Sequence, residues 1–358
     1  MLDNQSCDFQ GMPRIEIHHG AYIREGHMIA MPLCFPGVTT PIDANDSFIT
    51  SLIIGPDEII YGGTSGKHAH IFAAFTRGPT GVVVDLGEYS ESTEYIGLAY
   101  TKEQLIAGVN GKKGARILSR HIQNIPFADC IQEWKFDISP FKIAIELPEK
   151  EKIIDLVSDN NQNGIIGVTD KGLFRWDEET NSIKTYYDIK ITRLTKDKDS
   201  NIYGIDKTGQ IYLINDNKGD IKINLGEKIK GSFEKGIVWC KSNPEDISYL
   251  ADSDGGIFCI NKSGESKKIG QTHLQPVTCM AATNDGRLFG FCGHGIANLF
   301  VYEPRKGTVR DLGVAVSVLN RRRYGYEFAC AVTNKDGEIY FGENDRGGHL
   351  WIYFPNIV

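Results

Sequence analysis

One phrase recurs along this chain, and a recurring phrase limits the possible folds more than any single motif does. In "VTCMAATNDGRLFGFCGHGIANLFVYEPRKGTVRDLG", residues 277–313, an apolar alternation runs into Asn-Asp-Gly and then a second alternation. A turn of small residues follows, then a third run of aromatics and aliphatics, then a more polar fourth. "EFACAVTNKDGEIYFGENDRGGHLWIYFP", 327–355, repeats the phrase, as does "FITSLIIGPDEIIYGGTSGKHAHIFAAF", 48–75. Weaker copies begin at 95, 153, 191 and 236. The second apolar runs open near Ile59, Leu105, Ile165, Ile202, Ile247, Leu288 and Ile339. Side chains alternate with a period of two, and no long stretch shows the helical period. Asn-Asp-Gly and Lys-Asp-Gly suit hairpins because glycine accepts positive φ.

Four short antiparallel strands cannot bury both faces alone, so seven such units must pack against one another. Radial packing does this and leaves only short edges. The predicted fold is all-β, a seven-bladed β-propeller in one domain over 1–358. Two β-sandwiches are the alternative, but they would not require one phrase from residue 48 to 355. The blades are expected at 48–90, 95–150, 153–188, 191–226, 233–270, 277–313 and 327–355. The last unit stops after three strands. "MPRIEIH", 12–18, alternates like a strand and is expected to close the ring as that blade's outer strand. Residues 19–47 form a long connection, and 122–150 lengthen the passage from blade two to blade three.

The net charge of −7 argues against a broad nucleic-acid surface, which needs clustered Lys and Arg. Arg305-Lys306 and Arg321-Arg322-Arg323 read as solvated loops, the second also as a place for an anionic ligand. No apolar run is long enough to span a membrane, and the N-terminus has no signal pattern. Eight cysteines lie scattered without a CxxC, and Cys259, Cys279 and Cys330 sit inside apolar alternations, as small buried thiols do. A cytoplasmic location is the expectation.

In a propeller the turns between second and third strands share one face with the crossings between blades. Those turns are plain in blades three, four and five: "TDKG", "DKTG", "DSDGG". In blades six, seven, one and two they read "CGHGIAN", "NDRGGH", "TSGKHAH" and "NGKKGAR", and ring closure makes these blades neighbours. The arc offers Lys67, His68, His70, Arg116, His294, Asn298, Arg346 and His349. His70, Arg116, Asn298 and His349 share one repeat position, before Ile71, Ile117, Leu299 and Leu350, and could converge at the channel mouth. The plainer alternative is that they satisfy backbone groups between blades.

Two chemistries suit these side chains. His68, His70, His294 and His349 could hold a divalent metal such as Zn, Mn or Ca with oxygen ligands. Alternatively, Arg116 or Arg346 could neutralise a uronate carboxylate while His70, His294 or His349 removes the adjacent proton. Tyr22, Tyr61 or Tyr324 could then protonate the departing sugar oxygen, with Trp351 stacking a sugar or lying between blades. No HExxH, EF-hand, GxSxG or phosphate loop is present.

The phrases "YGGTSG", "FGFCGHG" and "YFGENDRGGHLWIY" resemble those of kelch-like seven-bladed propellers and, more distantly, propeller polysaccharide lyases. That resemblance implies a saccharide-directed protein, cleaving uronate-containing glycans by β-elimination and binding a small anionic or saccharide ligand. The alternative is a non-catalytic scaffold that takes a protein partner or ligand.

Overall fold

The computed structural model describes Ile23 and residues 25–34, 42–76, 81–89, 94–112, 114–122, 139–148, 150–159, 161–187, 189–217, 220–233, 236–241, 247–317 and 323–356. Seven four-stranded antiparallel sheets make up the fold; six run in sequence order from an inner first strand to an outer fourth, and the seventh takes its outer strand from the N-terminal part of the chain. The chain is a seven-bladed β-propeller. The first strands are Phe48–Ile54, Glu94–Tyr100, Ile153–Ser158, Arg193–Lys196, Val238–Trp239, Val277–Ala282 and Phe328–Thr333. They line a central cavity of about 880 Å³.

Blade seven closes the ring. Its strands Phe328–Thr333, Ile339–Glu343 and His349–Phe354 are completed by His27–Pro32, paired from His27 opposite Phe354 to Pro32 opposite His349. An N-terminal strand therefore completes the last blade, but the outer position belongs to His27–Pro32, inside the expected connection 19–47. The expected closing strand, 12–18, lies outside the described residues. Pro32 is tolerated because it ends an edge strand, where no further ladder bond is needed. Nearby, Arg310 of blade six grips Glu25 with both terminal nitrogens (2.7 and 3.0 Å), and the Tyr353 hydroxyl donates to the Glu25 carbonyl (2.9 Å).

Of the expected passage 122–150, Lys142–Glu146 forms the fourth strand of blade two, while 123–138 lie outside the described residues. A two-stranded pair, Val316–Ser317 with Arg323–Tyr324, sits in the crossing from blade six to seven. Arg321 and Arg322 lie outside the described residues. Arg305-Lys306 is loop, with Lys306 paired to Glu303 (2.6 Å).

The repeated phrase has a packing cause. The second-strand glycine leaves room for a third-strand aromatic: a Cβ at Gly62 or Gly167 would come within 2.2 Å of the Phe72 or Phe174 ring. The first hairpins are fixed by their polar residues. Tyr61 donates to Asp57 (2.7 Å), Tyr203 to Asp197 (2.9 Å) and Tyr340 to Glu338 (2.6 Å). Asp159, Asp197 and Asn334 accept amides two or four residues ahead, which is why Asp and Asn recur there. Aromatics seal the seams: Phe291 of blade six stacks on Phe328 of blade seven at 3.8 Å, and Trp351 meets Phe328 edge-on.

The cysteines are packing residues. Cys34, Cys240, Cys259, Cys279, Cys292 and Cys330 are all free thiols, and burial pushes Cys279 and Cys292 up to about 12. Cys7 and Cys130 lie outside the described residues. No helix among the described residues is long and apolar enough to cross a membrane.

Candidate functional site

The fourth strands of blades one and six, Val82–Tyr89 and Thr308–Val314, share one tripeptide, Asp85-Leu86-Gly87 and Asp311-Leu312-Gly313. Each aspartate accepts its own glycine's amide, at 3.0 and 2.9 Å, and each glycine has positive φ. The strand pairing slips by one residue beside each, between His70 and Phe72 and between Leu299 and Phe300. The carboxylate then reaches the third strand. His70 Nδ1 lies 2.9 Å from Asp85 Oδ2, and Asn298 Nδ2 lies 3.4 Å from Asp311 Oδ1. His273 joins the second pair, its Nε2 at 3.3 Å from Asn298 Nδ2.

Blade seven solves the same position differently because its outer strand is N-terminal. Glu343, fully buried on the second strand, accepts the His349 amide (3.1 Å), Trp351 Nε1 (3.2 Å) and the Tyr326 amide (3.3 Å). His349 Nδ1 lies 3.2 Å from this carboxylate but outside hydrogen-bond geometry. In blade two, Arg116 stands opposite Glu146 of the outer strand. At this shared position His70, Asn298 and His349 thus each face a carboxylate of their own blade.

His70 is 6% exposed. Burial, the largest single influence, pulls its imidazolium down, but Asp85's hydrogen bond and charge, with Asp46 and Glu88, outweigh it and leave the pKa raised above the ordinary 6.5. A raised folded value means the charged imidazole stabilises the fold. That contribution is complete below the ordinary value and is lost as pH rises through the raised one. His70→Gln should therefore cost roughly 1–2 kcal/mol more at about pH 5 than at about pH 9, read from urea unfolding. An equal cost at both would show that the pair carries no charge.

The other arc residues divide into two places. Lys67, His68 and Arg346 gather around the turn before blade one. The Lys67 amide donates to the Asn45 carbonyl (3.3 Å) and Arg346 Nε to Asn45 Oδ1 (2.9 Å). His68 Nδ1 sits 3.6 Å from Asp46 and 3.3 Å from Glu88. His294 stands exposed on the second turn of blade six. None of Lys67, His68, His70, Arg116, His294, Asn298, Arg346 and His349 lines the central cavity. Among the described residues, no group of three or more His, Cys, Asp or Glu is placed to hold a metal ion. Tyr22 lies outside the described residues, Tyr61 is held by Asp57 on the first hairpin, and Trp351 is buried in a blade seam.

An apolar patch was not anticipated from the sequence. Leu274, Ile296 and Tyr326 are 38%, 46% and 43% exposed, three of the five exposed large hydrophobics among the described residues. Leu274 and Tyr326 come from the crossings on either side of blade six, and Ile296 from its second turn. Two contacts tie the loops that carry them: the Ala297 amide donates to the Tyr326 carbonyl (3.1 Å), and the Leu274 side chain lies beside Gly293. The available signal was the isoleucine in "GHGIAN", an apolar residue that the turn itself does not require.

No family model and no curated protein matches this chain. Solved structures do. The extracellular domain of a hybrid two-component system from B. thetaiotaomicron has a TM-score of 0.61 at 12% identity, over 90% of this chain and 39% of that one. The WD40 β-propeller domain of Doa1 gives 0.59 at 10% identity, covering 92% of this chain and 96% of that domain. The C-terminal WD40 domain of Sif2 gives 0.57 at 11%, covering 92% and 99%. These likenesses carry the fold and no activity. They lend no support to the kelch or lyase resemblance. One Trp-Asp dipeptide, Trp176-Asp177, ends the third strand of blade three.

Proposed function

We propose that this chain is a non-catalytic interaction propeller that receives an extended segment of another protein across the turn face of blades six and seven. The observation that carries this reading is the joined exposure of Leu274, Ile296 and Tyr326. Single exposed apolar residues are ordinary, whereas three on adjoining loops of one face, rimmed by polar side chains, suit an interaction site. His273, Asn298 and His294 supply that rim. Ring nitrogens and an amide beside an apolar centre suit a peptide whose aliphatic or aromatic anchor is flanked by its own backbone groups. The match to two WD40 domains over nearly their whole lengths is compatible with this reading. The elimination reading has no comparable observation, since the imidazoles of His70 and His349 each face a carboxylate of their own blade.

A displayed random-peptide library panned against the protein provides the test. Enriched peptides should share an aromatic or aliphatic anchor. Their binding should weaken by roughly tenfold or more in Tyr326→Ala and in Ile296→Ser. Leu225→Ser, at an exposed leucine on the outer strand of blade four, should leave it unchanged. Peptides that bind all three variants equally would overturn the assignment. So would release of an unsaturated product from uronate-containing oligosaccharides, seen by ultraviolet absorbance.

A further inference from the structure

We propose that the central channel binds a small organic anion, its acidic group on the wall of blades four and five and its apolar part against the facing blades. The register of the blades shows this asymmetry. On each inner strand, one residue stands opposite the second-strand position typified by Gly62 and Gly204: Leu52, Gly97, Leu156, Leu194, Trp239, Met280 and Cys330. Two residues further on, the ring reads Ile54, Ala99, Ser158, Lys196, Lys241, Ala282 and Val332, and every member lines the cavity. Two adjacent lysines thus interrupt a layer that is otherwise small or apolar.

Both lysines are held against the wall by the preceding blade. Lys196 Nζ donates to the Asp159 carbonyl at 2.8 Å, and Lys241 Nζ to the Leu194 carbonyl at 2.7 Å. Lys241 also meets Asp155 Oδ1 at 2.7 Å. Arg193, one residue before that carbonyl, lines the same wall.

The charge inventory of the lining is one-sided although the chain as a whole carries −7. Arg193, Lys196, Lys198, Lys241 and Lys335 line the cavity with only Asp155 and Asp197 as carboxylates, and of the cations Lys335 is paired with Glu58 and Lys241 with Asp155. Both carboxylates are already engaged. Asp155 takes the amides of Leu156 and Leu194 besides Lys241, and Asp197 takes Asn201 and the Tyr203 hydroxyl. Burial, partly offset by Asp159 and Asp197, pulls the Lys196 ammonium below its ordinary range. An arriving anion would compensate that desolvation. The cavity's volume, about 880 Å³, falls among small-ligand sites, which are mostly apolar with a few converging polar groups.

Four probes separate the parts of this proposal by calorimetry: phenyl phosphate, octanoate, inorganic phosphate and 1-octanol. Phenyl phosphate and octanoate should bind, while inorganic phosphate and octanol should bind at least about tenfold more weakly. Lys196→Gln should weaken the organic anions by about tenfold or more, Lys196→Arg should retain them, and Lys306→Gln on the outer surface should change nothing. Added salt should lower the affinity. Circular dichroism checks that Lys196→Gln is folded, and Arg193→Gln serves as a second variant if it is not. No heat from either organic anion, or unchanged binding in the folded glutamine variant, would overturn the site. Equal affinity for phenyl phosphate and inorganic phosphate would overturn its apolar half. Tyr326→Ala should leave anion binding intact, so the channel site and the peptide face stand or fall separately.

Discussion

A chain beginning at Leu33, and so lacking His27–Pro32, should melt lower by roughly 10 °C or more, with a broadened transition. The strand supplies six paired positions along His349–Phe354. Met28, Ala30 and Ile23 pack against the cluster between blades six and seven, and Ile29 and Met31 against the cluster between blades seven and one. Losing Met28, Ile29 and Met31 removes apolar burial worth roughly 1.5–3 kcal/mol for each side chain that is fully covered, and these are partly covered. The sum is still a large share of the ~5–15 kcal/mol that holds an ordinary domain together. It would also uncover Trp351 and Tyr353, now 0% and 1% exposed, and leave the edge of His349–Phe354 unpaired. A synthetic peptide of residues 23–34 added in trans should restore part of the melting temperature. A truncated chain that melts with the full protein would show that the ring does not depend on this strand.

That strand also shows where sequence reading loses its grip. The seven units were legible because alternation and Asp/Asn-Gly turns are local signals, fixed by backbone geometry within a few residues. The closing strand was not, because "HMIAMP" scarcely alternates, whereas "MPRIEIH" does. Which segment joins His349–Phe354 is decided by the partner strand and by cover for Trp351, neither of which is local to residues 27–32. The shared position of His70, Asn298 and His349 was visible in the repeat, but its meaning was not. Asp85 lies fifteen residues beyond His70 and reaches it only after the slip at Gly87. Lys196 sits in "RLTKDKDS", which reads as an ordinary polar turn. Its place in the channel appears only once Leu194 is known to face Gly204. Exposure of Leu274 and Tyr326 is likewise a tertiary property of two crossings.

Glu343→Ala should destabilise the protein by roughly 3–5 kcal/mol in urea unfolding, the largest effect expected of a single substitution on the recognition side. The carboxylate has no exposed surface, and it accepts from the His349 amide, Trp351 Nε1 and the Tyr326 amide. Alanine would leave three donors without that acceptor and a void beside the indole. Glu343→Gln keeps the shape and one carbonyl oxygen, so it should lose about half as much. The two variants also separate stability from recognition. Tyr326 belongs to the apolar patch, and its backbone is tied to Glu343 on one side and to Ala297 on the other. A folded Glu343→Gln protein should therefore bind selected peptides more weakly while binding phenyl phosphate as before, because no atom of Glu343 lines the channel. A Glu343→Ala protein within about 0.5 kcal/mol of wild type would mean that solvent satisfies those donors. The tie from the buried carboxylate to the patch would then have no energetic content.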